Sequence, residues 1–498
     1  MGYLVRLPHA VLMREKEWGG GVSAWIAVLL LVAITNVPGS GWAASQPNPC
    51  PLAFAASTAS GAPVRPLASS PPNPTNPCPG QEWATAYGGA LAEAFNAVVQ
   101  TPDGGYIAAG YTNSFGVGGS NVWVVKLGSM GDVQWQKTYG GTGGSGETAY
   151  AVQPTLDGGY VVAGYADAGS QNDVWVLKLD SLGSVLWQKK YGGPASDWGY
   201  AIAQTSDGGY VVGSYTGSSA GGLDLWVLRL DPYGNVLWQK AVGSTSHEWL
   251  LGSGAMTLDP DGGIVLAGRV DQGSNGPVGL VVRLDASGNI VWSRTFGTGN
   301  VWTRSVLQTA DGGYLAAGNA GSTSKLLVMR LDGTGSILWQ KTYTGGFAVA
   351  VGTTPDGGYA VLGRVSSTSK IGAGSLDFVL LKIDASGNPV WERTYGGADI
   401  EDPRALWSTS EGGFIMAGYT YSFGQGLSDA WLVKTAPNGS LVTTCPSGIA
   451  AQISAGGSNS RLGASPAAMT STTSAASISN TSVVALDSAA TTMTQCTA

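Results

Sequence analysis

Residues 206–238 read SDGGYVVGSYTGSSAGGLDLWVLRLDPYGNVLW and carry the clearest structural signal in the chain. Three short apolar runs are separated by an Asp-Gly-Gly turn, by a Ser/Gly segment and by Asp-Pro-Tyr-Gly. Asp and Gly tolerate the positive φ of tight turns, so Asp-Gly predicts a two-residue hairpin between antiparallel strands. With the preceding run at residues 200–205, the stretch predicts four short strands.

This unit recurs along the chain. An Asp-Gly-Gly-Tyr tetrad or close variant begins at Asp103, Asp157, Asp207, Asp261, Asp311, Asp356 and Glu411. A second landmark, Trp-x-Lys/Arg, lies at Trp135, Trp187, Trp238, Trp292, Trp339 and Trp391, with Trp83 as an N-terminal copy without the base. Seven such units predict an all-β fold, a seven-bladed β-propeller of four-stranded antiparallel blades, because a closed ring removes the sheet edges that a solenoid of hairpins keeps. The Trp of each fourth strand is expected to pack between blades.

The flanks differ in composition from the repeat. Residues 1–43 have the order of basic, apolar and small residues that is typical of a secretory signal peptide. Residues 44–80 are rich in Pro, Ser and Ala and predict an extended linker, and the propeller spans 81–445. Residues 446–498, rich in Ser, Thr and Ala, predict a disordered tail or stalk. We expect a secreted or cell-surface protein with no integral membrane span in the mature chain, and an N-terminal membrane anchor is the alternative.

The ends of the repeat predict how the ring closes. Residues 83–89 look like a fourth strand with no third strand before it, and the last unit lacks the fourth-strand Trp. The N-terminal strand is therefore expected to complete the last blade. Cys78 and Cys445 flank this junction, and oxidising export favours a disulfide between them. That pairing, one of three possible, leaves Cys50 and Cys496 for the tails.

The run VWVLKLDSLGSVLW at residues 174–187 resembles the quinoprotein-like (PQQ-like) propeller repeat, in which a strand ending in Leu-Asp, a Gly turn and a Val-Leu-Trp strand follow one another. The fuller pattern, Trp-Gln-Lys-x-Tyr-Gly-Gly followed by Asp-Gly-Gly-Tyr, is similar to repeats of large exported bacterial proteins. The resemblance covers about residues 83–445 and implies a fold rather than an activity, because propellers host unrelated functions. Quinoprotein dehydrogenases carry adjacent cysteines beside their cofactor. No two cysteines are adjacent here, so the resemblance implies a non-catalytic relative without a cofactor.

Composition narrows the chemistry further. The chain of 498 residues has a net charge of -7 and no Lys/Arg-rich block, which argues against binding nucleic acid. Beyond the predicted leader the one histidine is His247, which excludes zinc sites needing two imidazoles. His247 lies in a loop insertion and is expected to be incidental. Residues 259–263 match the hairpin turn of the other units and lack the spaced ligands of a calcium loop.

Differences between units indicate where a ligand binds. The Asp-Gly-Gly and Leu-Asp-x-x-Gly turns lie on one face, the turn face, and are nearly identical in every unit. The loops of the opposite, variable face differ, and variable loops on a rigid frame are typical binding surfaces. Five units have an acid just before the innermost strand: Glu93, Glu147, Asp197, Glu248 and Glu401. All seven have a distinctive residue near the end of the second strand: Tyr111, Tyr165, Tyr215, Arg269, Asn319, Arg364 and Tyr419.

These two sets are expected to ring the mouth of the central channel. Carboxylates, phenols and guanidiniums together suit a sugar, a peptide or a cation. The alternative for the acids is structural: each bonds backbone amides or pairs with a base. A base in the third strand of every unit indicates a structural role for the bases: Lys126, Lys178, Arg229, Arg283, Arg330, Lys382 and Lys434.

Three functions stay open on the sequence alone. We expect a monomeric, non-catalytic module that binds a glycan, a peptide or another surface protein through the variable face. A polysaccharide hydrolase is the first alternative, and it would need two of the five acids within about 5–10 Å of each other. A structural surface protein that uses the tail as a stalk is the second.

Overall fold

The computed structural model describes residues 82–141, 146–167, 171–219, 222–321, 325–344, 346–366 and 375–441, together with six short segments of the C-terminal tail. The predicted signal peptide, nearly all of the linker and all four cysteines lie outside these residues. The signal peptide, the linker and the Cys78–Cys445 disulfide therefore stay predictions.

The described residues form seven four-stranded antiparallel blades in a ring, as the repeat predicts. The first strand of each blade is innermost, and the chain proceeds outward to the fourth. Strand β1 (Trp83–Gly88) belongs to blade 7; blade 1 has β2 (Glu93–Gln100), β3 (Tyr106–Thr112), β4 (Asn121–Leu127) and β5 (Val133–Gly140); blade 2 has β6 (Thr148–Pro154), β7 (Tyr160–Asp167), β8 (Asn172–Leu179) and β9 (Val185–Gly192); blade 3 has β10 (Asp197–Gln204), β11 (Tyr210–Ser219), β12 (Gly222–Leu230) and β13 (Val236–Gly243).

Blade 4 differs in that its innermost strand is broken into two pieces. It has β14 (Glu248–Leu250), β15 (Met256–Leu258), β16 (Ile264–Asp271), β17 (Pro277–Leu284) and β18 (Ile290–Phe296); blade 5 has β19 (Val301–Gln308), β20 (Tyr314–Ala320), β21 (Lys325–Leu331) and β22 (Ile337–Thr344); blade 6 has β23 (Gly346–Thr353), β24 (Tyr359–Ser366), β25 (Leu376–Ile383) and β26 (Pro389–Tyr395); blade 7 has β27 (Glu401–Ser408), β28 (Phe414–Thr420) and β29 (Asp429–Thr435). The one helical element of the described residues is a 3-10 turn at Gly273–Asn275.

The Asp-Gly-Gly turn is wider than the predicted two-residue hairpin. In blade 2 the Gly158 N–H donates to the Thr155 carbonyl oxygen at 2.9 Å, and the Thr155 N–H donates to the Gly159 carbonyl oxygen at 2.9 Å. Gly158 has a φ of 81°, whereas Asp157 is not among the residues with positive φ. A primed two-residue turn would need positive φ at both positions. The connection is therefore a turn with a single left-handed glycine.

A base on the third strand holds this turn, which confirms the structural role predicted for the bases. Lys178 Nζ lies 2.8 Å from the Asp157 carboxylate, and the lysine side chain is 4% exposed. The same pair recurs in six blades, as Lys126–Asp103, Lys178–Asp157, Arg229–Asp207, Arg283–Asp261, Arg330–Asp311 and Lys382–Asp356. Because a buried cation is stable only with a partner, the acid of the turn fixes the turn against the sheet.

The two landmarks of the sequence meet at the blade interfaces, where the Trp packs as predicted. The indole N–H of Trp135 in blade 1 donates to the Ser181 carbonyl oxygen of blade 2 at 3.1 Å. Its ring lies edge-on to Tyr160, the tyrosine of the next Asp-Gly-Gly-Tyr, at 5.9 Å between centroids. The Tyr139 hydroxyl donates to the Gly183 carbonyl oxygen at 2.6 Å. Together these contacts join neighbouring blades near the turn face.

The indole also covers a left-handed glycine of the next blade. Gly183 has a φ of 77°, and a Cβ there would lie 2.8 Å from the Trp135 ring. Glycine is thus required both by the backbone conformation and by the close approach of the ring. The contact occurs at all seven interfaces, as Trp83–Gly131, Trp135–Gly183, Trp187–Gly234, Trp238–Gly288, Trp292–Gly335, Trp339–Gly387 and Trp391–Gly439.

The N-terminal strand closes the ring, as predicted. Strand β1 pairs antiparallel with β29, which places Trp83 opposite Lys434 and Tyr87 opposite Ala430. Trp83 then packs on Gly131 of blade 1 as the other tryptophans do on their neighbours. Blade 7 therefore takes three strands from the end of the repeat and one from its beginning.

The C-terminal tail adds a fifth strand to six of the seven sheets. Its segments are β30 (Gly457–Asn459), β31 (Ala464–Pro466), β32 (Thr470–Thr472), β33 (Ser477–Asn480), β34 (Val484–Asp487) and β35 (Thr491–Thr494). They pair antiparallel with the fourth strands of blades 5, 4, 3, 2, 1 and 7, in that order. These segments are edge strands, and the disorder predicted for the tail concerns residues that otherwise lie outside the described ones. Outer strands offer unpaired N–H and C=O groups to any extended chain.

Substituting the interface glycine tests the Trp–Gly contact. We expect Gly183→Ala to lower the free energy of unfolding by about 2–5 kcal/mol, because a left-handed alanine costs about 1–2 kcal/mol and overpacking against the indole adds about 1–3 kcal/mol. Gly158→Ala is the matched control, since Gly158 has a similar φ but an added Cβ there meets no atom within 4 Å. Urea unfolding measures both variants, and equal losses would contradict the contact.

Removing the tail tests its role as a set of edge strands. We expect a chain ending at residue 445 to aggregate faster than the full chain, because six outer strands lose their backbone partners. Light scattering during incubation below the unfolding temperature measures this rate. If the two chains scatter equally over the same period, the tail does not protect the sheet edges.

Candidate functional site

The five acids predicted for the channel mouth lie between blades instead. Their exposed fractions are 0 to 6%: Glu93, Glu147, Asp197, Glu248 and Glu401. Glu93 accepts hydrogen bonds from the Gly89 N–H at 2.8 Å, the Ser114 N–H at 3.0 Å and the Thr112 hydroxyl at 2.9 Å. Of the residues lining the described channel cavities, none is one of these acids. Their carboxylates hold the loops of the variable face, which is the structural alternative considered from the sequence.

Each acid faces a second polar residue from the preceding blade. At the interface of blades 3 and 4, a Cβ on Gly243 would overlap Asp224 Oδ1 and lie 2.8 Å from Glu248 Oε2. Glycine at this position therefore leaves room for both carboxyl groups. Four interfaces have such a trio: Glu93/Asp429/Gly88, Glu147/Asn121/Gly140, Glu248/Asp224/Gly243 and Glu401/Asp377/Gly396. At a fifth, a Cβ on Gly192 would meet Asp173, whose charge acts on Asp197. The two interfaces without the acid have Val278 and Lys325 at the partner position.

Three of the five acids bind protons more tightly than exposed carboxyl groups do: Glu147, Asp197 and Glu248. Burial raises the pKa of Glu248 to about 7, and the neighbouring Asp224 carboxyl adds to the rise. Burial also raises the pKa of Asp197 to about 6 and that of Glu147 to about 7. The unfolded chain releases these protons near the ordinary carboxyl pKa. The stability that they contribute is complete below that ordinary value and is lost as the pH rises through 6 to 7.

The unfolding temperature is therefore expected to fall between pH 5 and pH 8. Glu248→Gln should reduce this fall, because the amide keeps the shape of the side chain but does not ionise. Asp399→Asn, at an exposed position, is the control and should follow the wild type. Scanning calorimetry across this pH range measures the effect. A Glu248→Gln profile with the same slope as the wild type would contradict the assignment.

The seven second-strand residues lie beside the start of the innermost strands, toward the variable face. Each pairs in register with one inner-strand residue: Tyr111–Ala94, Tyr165–Thr148, Tyr215–Trp198, Arg269–Trp249, Asn319–Trp302, Arg364–Phe347 and Tyr419–Asp402. Asn319 is 4% exposed and Tyr215 is 5% exposed, so these two contribute mainly to packing. The set therefore surrounds the mouth, with inner-strand partners that differ from blade to blade.

A β-bulge in the innermost strands supplies residues that the sequence analysis missed. In six blades the pairing with the second strand skips one residue: Asn96, Tyr150, Tyr200, Arg304, Val349 and Arg404. Blade 4 breaks its strand at the corresponding place. A bulge bends the strand and redirects the side chain. All six bulge residues line a cavity of about 260 Å³ in the channel, on the side of the variable face.

Arginines from blades 4 to 7 form one side of this mouth, which we term the arginine arc: Arg269, Arg304, Arg364 and Arg404. Arg364 Nη1 lies 3.4 Å from Asp402 Oδ1, and Arg404 Nη2 lies 3.1 Å from Asp402 Oδ2. Aromatic rings support the guanidiniums, with Arg364 over Phe347 at 5.0 Å and Arg404 over Tyr419 at 5.4 Å. Two of the arginines thus share a single carboxylate.

Arg304 completes the arc without a carboxylate of its own among the described ion pairs. Its Nε is buried and has no hydrogen-bond partner in the described residues, and its guanidinium lies 5.3 Å from the Trp302 ring. Burial and the nearby guanidiniums of Arg364 and Arg404 lower the pKa of Arg304 to about 10. It therefore stays protonated at neutral pH. Of the four arginines, Arg269 pairs with Asp271 at 3.3 Å. The other three guanidiniums have one carboxylate among them, Asp402, which leaves this side of the mouth with two excess positive charges.

The opposite side, from blades 2 and 3, is aromatic, and we term it the aromatic arc: Tyr150, Tyr165, Trp198, Tyr200 and Tyr215. Tyr150 and Tyr200 stack at 4.4 Å between ring centroids, and Trp198 lies 4.8 Å from Tyr215. Tyr165 lies edge-on to Trp198 at 6.5 Å. Burial raises the pKa of the Tyr150 and Tyr200 phenols. Both hydroxyls are therefore neutral groups that can donate or accept hydrogen bonds.

Toward the turn face the channel becomes apolar. A second cavity of about 960 Å³ is lined largely by Ala, Val and Leu side chains from the second halves of the innermost strands. Ser253 lines both cavities, so they adjoin near the level of the bulges. The polar part of the channel is thus confined to the side of the variable face.

Other candidate features remain separate from the mouth. Nowhere in the described ranges do three or more His, Cys, Asp or Glu side chains form a group that could hold a metal ion. His247 is exposed in its loop, where its Nδ1 accepts a hydrogen bond from the Leu223 N–H at 3.0 Å. In the part of the chain that the structure describes, no helix is long and apolar enough to cross a membrane.

No protein-family model matches this chain, and no curated protein does. Similar solved structures include Sqt1 of Chaetomium thermophilum bound to the N-terminus of the ribosomal protein L10, with 12% identity and a TM-score of 0.39 over 71% of this chain and 99% of that one. A protein of unknown function from Dyadobacter fermentans has 13% identity and a TM-score of 0.39 over 71% and 97%. The WD40 domain of SCAP from fission yeast has 10% identity and a TM-score of 0.34 over 73% and 99%. Similarity at this level does not extend to function, and the fold assignment rests on the strand pairing of the chain itself.

Proposed function

We propose that this protein is an exported, non-catalytic binding module that captures a glycan, a peptide or a surface protein at the mouth of its central channel. The observation that carries the proposal is the set of bulge residues. They differ in chemistry from blade to blade, yet they converge on one concave cavity in an otherwise repetitive ring. Bulges redirect side chains near binding and active sites. Concave cavities with a few convergent polar groups are the usual form of ligand sites.

The hydrolase alternative has less support. Its carboxylates would come from the five inter-blade acids, which are buried and hold loop amides, as Glu401 does with the Gly397 N–H at 2.7 Å. Asp402 is a carboxylate at the mouth, and it is already engaged by Arg364 and Arg404. A glycosidase needs one carboxyl that can give up a proton and a second that acts as base or nucleophile. The mouth therefore favours binding over hydrolysis.

Export and surface exposure form part of the proposal. Their support is the order of basic, apolar and small residues in 1–43 and the placement of Cys78 and Cys445 beside the ring closure. Fractionation of the producing cells, with mass spectrometry of the mature N-terminus, tests the export. The stalk alternative has less support, because described segments of the tail run along the outer edges of the blades.

Screening the full chain on glycan and peptide arrays tests the binding site. We expect the double variant Tyr165→Ala/Arg364→Ala to lose at least tenfold in affinity for any ligand found, with little change in unfolding temperature. The matched control is Leu182→Ala/Tyr233→Ala on the turn face, where the two side chains are 67% and 73% exposed. Loss of binding in the control with retention in the mouth variant would overturn the proposal, as would an array without any ligand.

A further inference from the structure

We infer that the mouth binds an acidic sugar, a pyranose with a carboxylate that meets the arginine arc while its ring lies against the aromatic arc. This inference rests on the proposed function and specifies the ligand of the same site. It is carried by the position of Arg304, Arg364 and Arg404 on one side of a small cavity and of stacked aromatic rings on the other.

The excess positive charge of the mouth favours the binding of an anion. The protein as a whole has a net charge of -7, yet three guanidiniums here share only Asp402. Arg304 Nε is buried without a hydrogen-bond partner in the described part of the chain. Arg304 also lines the cavity, so a bound anion would supply an acceptor for the part of its guanidinium that faces the cavity. The guanidinium fork matches the two oxygens of a carboxylate.

A carboxylate fits the mouth better than a phosphate. Asp402 has an exposed fraction of 5%, lies within 3.4 Å of both Arg364 and Arg404, and lines the same cavity as Arg304. Arg364 and Arg404 already share Asp402, so the guanidinium without a carboxylate partner among the described ion pairs is that of Arg304, and one carboxylate matches its charge and its fork.

The aromatic arc supplies what a pyranose ring needs beside its carboxylate. Flat aromatic side chains offer large apolar contact area, and their hydroxyl groups form directed hydrogen bonds. Tyr150 and Tyr200 are partly buried, lie at the cavity wall and keep neutral phenols, which can pair with sugar hydroxyls. The Asn96 amide lines the same cavity. A volume of about 260 Å³ lies below the range of about 300–1,000 Å³ that is typical of drug-sized ligands, which indicates one sugar residue rather than a chain.

Titration calorimetry of the full chain tests the inference with matched pairs of probes. The pairs are galacturonate against galactose and glucuronate against glucose, with glucose 6-phosphate as the phosphate probe. We expect at least one uronate to bind at least thirtyfold more tightly than its neutral partner and than the phosphate. Raising the salt from 50 to 500 mM should weaken that binding, because charge contributes to it.

Substitutions in the arginine arc test the assigned residues. Arg304→Met should weaken uronate binding at least tenfold, and Arg304→Lys should weaken it less, because charge is kept but the fork is lost. Arg294→Met, on the fourth strand of blade 4, is the matched control and should bind as the wild type does. The unfolding temperature of each variant confirms that it is folded. Arg364→Met provides the same test if Arg304→Met does not fold.

The outcomes separate the two proposals. Equal binding of a uronate and its hexose, or tighter binding of the phosphate, would overturn the carboxylate assignment and leave the binding module in place. A peptide ligand lost in the mouth variant, without uronate binding, would overturn the sugar and support the module. Both proposals would be overturned if substitutions at the mouth changed the binding of no sugar and of no ligand found on the arrays.

Discussion

The indole of one blade resting on a left-handed glycine of the next is the contact on which the ring depends. It brings together the two landmarks that repeat along the chain, because the same tryptophan meets the turn glycine and the Asp-Gly-Gly-Tyr tyrosine of its neighbour, as in Trp135, Gly183 and Tyr160. The tryptophan of a blade thus makes these contacts with the next blade and not with its own. Each blade contributes its tryptophan to one neighbour and its glycine and tyrosine to the other. The stability of the propeller therefore increases with each added blade, and the last interface forms when β1 joins blade 7.

The two faces of the ring are under different constraints. On the turn face, ion pairs such as Lys178–Asp157 and indole contacts such as Trp135–Gly183 recur from blade to blade, which keeps the sequence there uniform. On the variable face, the buried acids hold the loops through backbone N–H groups, as Glu93 does with Gly89 and Ser114. Because these hydrogen bonds fix the backbone of the loops, the side chains that point into the channel can differ between blades while the blade structure is kept. Arg304 and Tyr150 occupy equivalent bulges on this principle.

The fold could be predicted from the sequence because its determinants are local. Turn chemistry and the recurrence of Trp-x-Lys/Arg identified the blades, the ring closure, the packing of the tryptophans and the role of the bases. The channel residues could not be predicted in the same way. Side chains alternate along a strand, so one skipped pair, as at Arg304, changes which residues face the channel. The residue pattern of the inner strands, rich in Val, Ala and Ser, does not indicate where the skipped pair lies.

The acids were misplaced because the direction of their side chains depends on residues that are distant in the sequence. The sequence shows that Glu248 precedes an inner strand, but its direction depends on Asp224, 24 residues earlier, and on the space left by Gly243. The described segments of the tail pair through their backbone, so they need no apolar alternation in their sequence.

Closure by β1 also affects the order in which the molecule is made. Trp83 pairs with Lys434, so β1 leaves the ribosome long before the last part of the repeat, with which it pairs. Such a distant pairing forms slowly, because the entropy cost of closing a long loop comes before any stabilising contact is made. Blades 1 to 6 can assemble in turn while β1 remains without a sheet. Only a chain with the complete repeat can therefore close the ring, because in a chain cut short within the repeat β1 would have no strand to pair with.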